Sequence, residues 1–320
     1  MTRPLVVVTR RLPGDAPERI AAVARVRWWE GDEAIPADVL YPWLADADGL
    51  LSMLTDPVDA SLVAAAPRLR VISQMAVGVD NIDLDACGEA GIPVGHTPDV
   101  LTEATADHAV ALLLAAARRL AEGIDHVAAG RWGPWRPDLL LGHDVHGTTI
   151  GIVGLGRIGT AVARRLRAFG TTLLYTGPGR KAAAEAETGA VFVTLDDLLE
   201  RSDHVILTAP LTTETRHLVG AEQLDRMKPT ATLVNVARGP LVDPDALVTA
   251  LTDGAIASAA LDVTEPEPIP PDHPLVDLPN CTIVPHVGSA TVATREAMAG
   301  LAVDNLLAGL RGEPLPAAAG

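Results

Sequence analysis

The sequence predicts an α/β fold in which doubly wound parallel sheets form two domains. Short runs of β-branched residues alternate with alanine-rich segments that favour helices. The strand-like runs are apolar on both faces, as is typical of parallel strands covered by helices. The chain has 320 residues, which suits about two domains of roughly 150 residues each.

The predicted elements follow one another in a regular order. Strand-like segments lie at residues 5–8, 49–54, 71–75, 150–153, 172–175, 204–208, 232–236, 257–261 and 282–284. Helix-like segments lie at residues 102–129, 160–169, 243–253 and 290–310. A stretch rich in Pro and Gly at 130–147 separates two α/β blocks. The segment at 102–129 is expected to connect an N-terminal domain to the dinucleotide domain, and the segment at 290–310 to return to the first domain. We expect residues 1–98 and 289–320 to form one domain and residues 99–288 the other.

The charge and hydropathy of the chain exclude two classes of partner. The formal net charge is -16, whereas nucleic acids and anionic membranes both bind basic surfaces. The apolar run at 5–8 is too short for a signal peptide, and the run at 109–117 is far short of the ~20 residues that span a bilayer. We expect no nucleic-acid or membrane partner and a cytoplasmic location.

The cysteines and several histidines lack a motif context. Cys87 and Cys281 have neither a metal-ligand spacing nor a disulfide framework. We expect two reduced, packed thiols and no metal site. The histidines interpreted as surface or loop residues are His96, His143, His146 and His273.

A glycine-rich loop follows the strand predicted at 150–153. It reads Gly154-Leu155-Gly156-Arg157-Ile158-Gly159, and a helical segment begins directly after it. Between a strand and a helix, the first glycine permits a tight turn and the second lets the backbone approach a pyrophosphate, while the third allows close helix–strand packing. The N–H groups at the helix start then bind the phosphates. The loop predicts a Rossmann-type domain that binds a dinucleotide.

The end of the strand predicted at 172–175 bears on which dinucleotide is bound. A carboxylate there would hold the ribose 2′-hydroxyl of NAD. Here Gly177, Arg180 and Lys181 follow, and no acid occurs before Glu185. Because the two cations would attract a 2′-phosphate, we expect NADP(H) to be favoured over NAD(H). The alternative is that both cations belong to a solvated helix start.

Three polar residues each follow a predicted strand of this block: Arg238, an acid shortly after Asp262, and His286. Ligands of open α/β sheets lie beyond the carboxyl ends of the strands, so these groups should converge beside a nicotinamide. Reduction of a 2-keto acid needs a cation for the carboxylate and carbonyl, which the fork of Arg supplies. It also needs a proton donor, and a carboxylate beside His would stabilise the protonated ring. The set predicts hydride transfer between a nicotinamide and a 2-hydroxy acid.

The same segments are similar to those of the D-isomer-specific 2-hydroxyacid dehydrogenases over nearly the whole chain. The motifs are residues 77–83, the Gly154 loop, residues 235–239, Asp262 with Glu267-Pro268, and residues 279–286. The resemblance implies a dinucleotide domain inserted in a flavodoxin-like substrate, or lid, domain. It also implies that Arg238 binds the substrate carboxylate and carbonyl, that His286 is the acid/base, and that Glu267 is its partner.

The resemblance assigns further residues to the two ligands. Substrate would bind the backbone of Val77 and Gly78, with Met53 at a strand end. Cofactor would be lined by Thr105, Gly177, Ala209, Pro210, Thr215, Val236, Ala237, Asp262 and Gly288. Glu265 also precedes a proline, but the spacing from Asp262 selects Glu267 and leaves Glu265 as a solvated loop residue.

Within the family, residues 132–137 resemble the glyoxylate/hydroxypyruvate reductase branch. In that branch a Trp of this segment, Trp135 by position, reaches toward the partner subunit's substrate site; the alternative is a Trp packed in the dimer contact. The family implies a homodimer through the dinucleotide domain, which would bury residues 109–117. Two other functions stay open: a dehydrogenase for a larger 2-keto acid, and a non-catalytic dinucleotide-sensing corepressor.

Overall fold

The computed structural model describes residues 3–319, and the chain divides into two compact units. The first unit comprises Met1–Leu101 and Ser289–Gly320, and the second comprises Thr102–Gly288. The expected domain boundary lay at residues 98 and 99, and the expected first domain included residues 1, 2 and 320, which lie outside the described range. Among the described residues, no helix is both long and apolar enough to cross a membrane.

The first unit is a parallel sheet covered by helices. Its elements are β1 (Leu5–Val8), α1 (Ala16–Val23), β2 (Arg25–Trp28), α2 (Ala37–Leu44), β3 (Gly49–Ser52), α3 (Ala60–Ala65), β4 (Ile72–Gln74), α4 (Leu84–Glu89), β5 (Val94–Gly95) and the C-terminal helix Val292–Arg311. Within residues 3–319, its strands pair in the order β2-β1-β3-β4-β5, all parallel. Val7, Leu50 and Ile72 lie in its core.

The second unit holds the larger parallel sheet. Its elements are α5 (Thr102–Ala117), α6 (Leu120–Ala128), β6 (Thr149–Val153), α7 (Arg157–Leu166), β7 (Thr172–Thr176), α8 (Ala182–Thr188), β8 (Val191–Phe192), α9 (Leu195–Arg201), β9 (His204–Leu207), α10 (Ala221–Arg226), β10 (Thr232–Asn235), α11 (Pro244–Asp253), β11 (Ser258–Leu261), α12 (Pro274–Asp277) and β12 (Cys281–Ile283). Short 3₁₀ turns lie at Arg167–Phe169 and Gly239–Leu241.

The strand order of the second unit creates a binding edge. Over the described part of the chain it is β12-β11-β10-β9-β6-β7-β8, all parallel. The order reverses between β6 and β9, and loops from neighbouring parallel strands diverge at such a switch point. The two sheets confirm the predicted fold class of two doubly wound α/β domains.

The single helix expected at 102–129 is wrong. Helix α5 ends at Ala117, and Arg119 adopts a left-handed backbone with φ of 53° before α6 begins. The Arg119 guanidinium donates to both carboxylate oxygens of Glu122, at 2.8 and 2.7 Å. This bidentate pair, formed within the first turn of α6, holds the break in place.

Much of the apolar run at 109–117 is buried without a second chain. Ala109 and Leu113 are fully buried within the second unit itself, where α5 packs on α7, β10 and β11. The opposite face of the run is open: Val110, Leu114 and Ala115 are half-buried and Ala111 is exposed. In contrast, α6 has no buried residue among those described.

Candidate active site

The glycine loop follows β6 at the switch point of the sheet. Gly154 has φ of 96°, and a Cβ there would lie 2.8 Å from the backbone of Ala209. A Cβ on Gly159 would overlap the carbonyl oxygen of Gly154. The Thr208 hydroxyl donates to that same oxygen at 2.5 Å. Two of the three glycines are therefore required by the packing of the loop against the end of β9.

Gly156, unlike Gly154 and Gly159, is not required to be glycine by packing against neighbouring atoms. It is the N-cap of α7 and has no side chain to cap the helix. In the described part of the chain, no heavy atom lies within 4 Å of the position of its Cβ, apart from its own neighbours. A glycine at an open helix start matches the close approach of a pyrophosphate. Leu155 is buried and Ile158 packs on the same core, so the apolar residues of the loop anchor it and leave its backbone at the helix start.

In the region after β7, Glu185, the first acid after that strand, pairs with Arg180. The Glu185 carboxylate accepts from Arg180 Nε at 3.1 Å and Nη2 at 2.6 Å, and from the hydroxyl of Tyr175. The Lys181 N–H donates to the Tyr175 oxygen at 2.7 Å. Arg180 and Tyr175 together hold the pKa of Glu185 at about 2. Gly177, Arg180 and Lys181 are exposed.

The other residues expected to line the dinucleotide lie at neighbouring loops of the same sheet. Ala209 and Pro210 follow β9, and the Thr215 hydroxyl donates to the Pro210 carbonyl at 2.8 Å. Val236 and Ala237 follow β10. The structure thus brings these residues to the carboxyl ends of adjacent strands.

Arg238 is fixed by its own loop after β10. The Asn235 amide donates to the Arg238 carbonyl at 2.8 Å, and Arg238 Nη1 donates to the Ala237 carbonyl at 2.8 Å. A Cβ on the next residue, Gly239, would overlap the backbone of Thr264. The Arg238 loop therefore packs directly on the acidic segment after β11.

His286 and Glu267 form a close pair. His286 Nδ1 lies 2.6 Å from Glu267 Oε1, with both side chains partly exposed. Glu267 belongs to the loop after β11 and His286 to the loop after β12. The adjacent parallel strands β11 and β12 bring together a histidine and an acid that are 19 positions apart in the sequence.

Glu265 is not a solvated loop residue, contrary to expectation. Its carboxylate pairs with Arg216 Nη2 at 2.5 Å and with His217 Nε2 at 2.7 Å. Burial would raise the pKa of Glu265, but hydrogen bonds from His217 and Arg216 outweigh burial and lower it. Glu265 has other partners, and Glu267 is the acid that contacts His286.

Asp262, at the end of β11, is buried and organises the His286 loop. Its carboxylate accepts from Val287 N at 2.7 Å and Gly288 N at 2.9 Å. It also contacts His108 Nε2 at 3.1 Å. Sequence reasoning missed His108, because a single histidine in the alanine-rich α5 carries no motif. Thr105, also expected at the cofactor, is buried on the same helix.

The expected substrate residues of the first unit are held by a polar network. The Asn81 amide donates to the Met53 carbonyl at 3.2 Å, and the Gln74 amide donates to the Gly78 carbonyl at 2.7 Å. His96, in the loop after β5, is half-buried, and its Nδ1 lies 2.9 Å from the Val77 carbonyl. These contacts fix the shape of the loops that carry Met53, Val77 and Gly78.

Burial of the cysteines disfavours their thiolates. Burial raises the pKa of Cys281 to about 12, and burial together with Asp83 raises that of Cys87. In residues 3–319, no cluster of three or more His, Cys, Asp or Glu side chains is arranged to hold a metal ion.

Comparison with known proteins identifies the family. Residues 110–288 match the D-isomer specific 2-hydroxyacid dehydrogenase, NAD binding domain. The chain is 50% identical over 316 residues to a glyoxylate reductase of Korarchaeum cryptofilum, covering 98% of this chain and 95% of the relative. It is 48% identical to the human glyoxylate reductase/hydroxypyruvate reductase, covering 97% and 96%.

A solved structure agrees with these relatives. An NADPH-dependent glyoxylate/hydroxypyruvate reductase from Sinorhizobium meliloti, in complex with NADP and malonate, superposes with a TM-score of 0.86 at 35% identity. The match covers 99% of this chain and 97% of that one. The chain therefore belongs to the D-isomer specific 2-hydroxyacid dehydrogenase family.

Proposed function

We propose that this protein reduces glyoxylate or hydroxypyruvate to the corresponding 2-hydroxy acid, or runs the reverse reaction, with His286 as the proton donor. The observation that carries the proposal is the 2.6 Å contact between His286 Nδ1 and Glu267. The pair follows strands of the sheet that also carries the Gly154 loop and Arg238. The relatives named glyoxylate reductase support the choice of substrate.

Each residue of the set has a distinct task. Arg238 binds the substrate carboxylate and polarises the carbonyl, because its guanidinium donates two parallel hydrogen bonds. Glu267 accepts from Nδ1 and fixes the imidazole, so that Nε2 delivers the proton to the oxygen of the former carbonyl. A bound reduced nicotinamide supplies the hydride to the carbonyl carbon. In the reverse direction, Nε2 accepts the proton from the hydroxyl group.

The cofactor is proposed to be NADP(H) in preference to NAD(H). Gly177 follows β7 where an NAD-binding acid would be expected, and Arg180 and Lys181 come next. The NADPH-dependent structural relative supports this choice. Arg180 forms an ion pair with Glu185 in the structure. A 2′-phosphate would therefore compete with the Glu185 carboxylate for the Arg180 guanidinium.

Small acids are proposed over larger ones on the strength of the relatives' names alone. Val77, Gly78 and Met53 are proposed to contact the substrate, as the family implies. A dehydrogenase for a larger 2-keto acid and a non-catalytic dinucleotide sensor remain the competing functions.

A homodimer through the second unit completes the proposal. Its support is the exposed apolar surface on and beyond α6, where Leu120, Ile124 and Val127 are 52%, 69% and 51% exposed. In the segment that follows α6, Trp132 and Trp135 are 76% and 86% exposed. Several large apolar side chains exposed on one short helix favour an interaction site, and Trp135 would reach the partner subunit.

The deciding experiment is a spectrophotometric screen of NADPH and NADH oxidation with glyoxylate, hydroxypyruvate, pyruvate and larger 2-keto acids. We expect the highest kcat/KM with glyoxylate or hydroxypyruvate and NADPH. A maximum with a bulky keto acid would identify the larger-substrate enzyme. Tight dinucleotide binding without turnover of any acid would support the sensor.

A further inference from the structure

A histidine outside the proposed catalytic set braces the loop that carries His286. His108 lies on α5, and its Nε2 is 3.1 Å from Oδ1 of Asp262. The side chains are only 20% and 2% exposed. Hydrogen bonds from His108 and the Val287 N–H outweigh the effect of burial and lower the pKa of Asp262. The acid is thus an ionised acceptor, and His108 Nε2 is the donor.

Asp262 holds successive residues of the His286 loop. Its backbone carbonyl accepts from the His286 N–H at 2.9 Å, and its carboxylate accepts from Val287 and Gly288 at 2.7 and 2.9 Å. Oδ1 is shared between Val287 and His108. The carboxylate of Asp262 therefore fixes the N–H groups of Val287 and Gly288, and its backbone carbonyl fixes that of His286.

The conformation of His286 requires such support. Its φ is 52°, in the left-handed region that residues other than glycine seldom adopt. A residue of this kind keeps its conformation only where neighbouring contacts enforce it. The bonds to Asp262 are contacts of that sort.

The packing around Gly288 leaves little room for the brace to shift. A Cβ there would lie 2.9 Å from Asp262 Oδ2, 3.5 Å from Thr105 Cγ2 and 3.6 Å from His108 Cδ2. Asp262 and His108 therefore pack closely around Gly288 of the His286 loop. A displaced carboxylate would move the loop with it.

We propose that His108 is a positioning residue for hydride transfer: its N–H holds the Asp262 carboxylate, which keeps the His286 imidazole in contact with Glu267. The proposal rests on the proposed role of His286 as proton donor. His108 itself lies behind the loop and acts through Asp262.

His108→Leu and His108→Gln test the proposal, since leucine removes the donor and glutamine keeps an N–H at a similar distance from the backbone. We expect H108L to lower kcat roughly 10- to 100-fold, as small misplacements of catalytic groups do, with KM changed little. H108Q should recover most of the loss. His146→Leu, at an exposed histidine of the same unit, should match the wild type. If H108L does not fold, His108→Asn replaces it, because its shorter amide cannot reach Asp262.

A double-mutant cycle with Glu267→Gln separates positioning from general damage. If both residues act by holding the same imidazole, the combined loss in kcat is smaller than the product of the single losses. Fully multiplicative losses, a failure of H108Q to rescue, or wild-type kcat in H108L would overturn the proposal. His286→Ala is measured alongside: an active H286A removes the proposed function, whereas an inactive H286A with unaffected H108L removes only the role of His108.

Discussion

Nδ1 of His286 lies 2.6 Å from Oε1 of Glu267, although 19 positions separate the two residues in the sequence. A carboxylate can only accept, so the proton of this bond is on Nδ1. Nε2 is then the nitrogen that exchanges a proton with substrate. In this arrangement Nδ1 orients the ring through Glu267, and Nε2 carries out the proton transfer.

Glu267→Gln should therefore lower kcat by roughly 10²-fold, because a neutral amide no longer selects one tautomer of the imidazole. Dinucleotide binding should be unchanged. Steady-state kinetics and NADPH titration by fluorescence measure the two quantities. The matched control is Glu265→Gln, which removes an acid paired with Arg216 and His217 and should leave kcat near the wild-type value. Equal losses in both variants would show that Glu267 has no special role.

Arg180→Ala should lower kcat/KM for NADPH by roughly tenfold, the size of one charge-assisted hydrogen bond, and leave NADH use unchanged. Glu185→Gln should act in the opposite direction, because it releases Arg180 from its carboxylate partner. The measurement is the ratio of kcat/KM for the two cofactors. Arg226→Ala, at a helix elsewhere in the second unit, controls for the loss of one positive charge. An unchanged ratio in both R180A and E185Q would contradict the assignment of the 2′-phosphate.

Buried strands and glycines were predictable because their requirements are local. The segment predicted at 5–8 matches β1 residue for residue, since four apolar residues there are buried on both faces. β2 was missed because its arginines alternate with apolar residues at the edge of the sheet. β5 and β8 are only two residues long, too short to leave a pattern. The need for glycine at positions 154 and 159 was predicted from their spacing between a strand and a helix. The structure gives the reason, because a Cβ at either position would clash with neighbouring backbone.

Side-chain pairings between distant residues left no such signal. His108 and Asp262 are 154 positions apart, and either residue alone is unremarkable. The break before α6 was missed because arginine is a good helix former, and nothing in the local sequence signals the left-handed backbone of Arg119 or its bond to Glu122. The ion pair between Glu185 and Arg180 was not predicted, because the sequence gives their spacing of five positions but not the turn that brings the side chains together. Topology and the reach of long side chains decided these three features.

Ile124→Glu should convert the proposed dimer to a monomer, because it places a charge in the exposed apolar face of α6. Light scattering coupled to size-exclusion chromatography measures the mass. The control is Val191→Glu, at a residue of the same unit that is 53% exposed on the edge strand β8, and it should leave the mass unchanged. A wild-type protein of 33.3 kDa at all concentrations would contradict the dimer.

His204 should make the protein less stable below neutral pH. It is 1% exposed on β9, and burial lowers its pKa from the ordinary value of 6.5. Below pH 6.5 this histidine is protonated in the unfolded chain but stays neutral in the folded chain until the pH reaches its lowered pKa. The free energy of unfolding therefore falls as the pH falls below 6.5. Urea unfolding at a series of pH values measures the slope. His204→Asn should flatten it, whereas His146→Asn, at an exposed ring, should not; equal slopes in both variants would refute the assignment.

His286→Ala removes the imidazole that is proposed to transfer the proton itself. The measurement is kcat for glyoxylate reduction together with the NADPH dissociation constant of the same sample. We predict a loss in kcat of roughly 10²–10⁴-fold with unchanged NADPH binding. An H286A enzyme that reduces glyoxylate at the wild-type rate would show that His286 is not the proton donor.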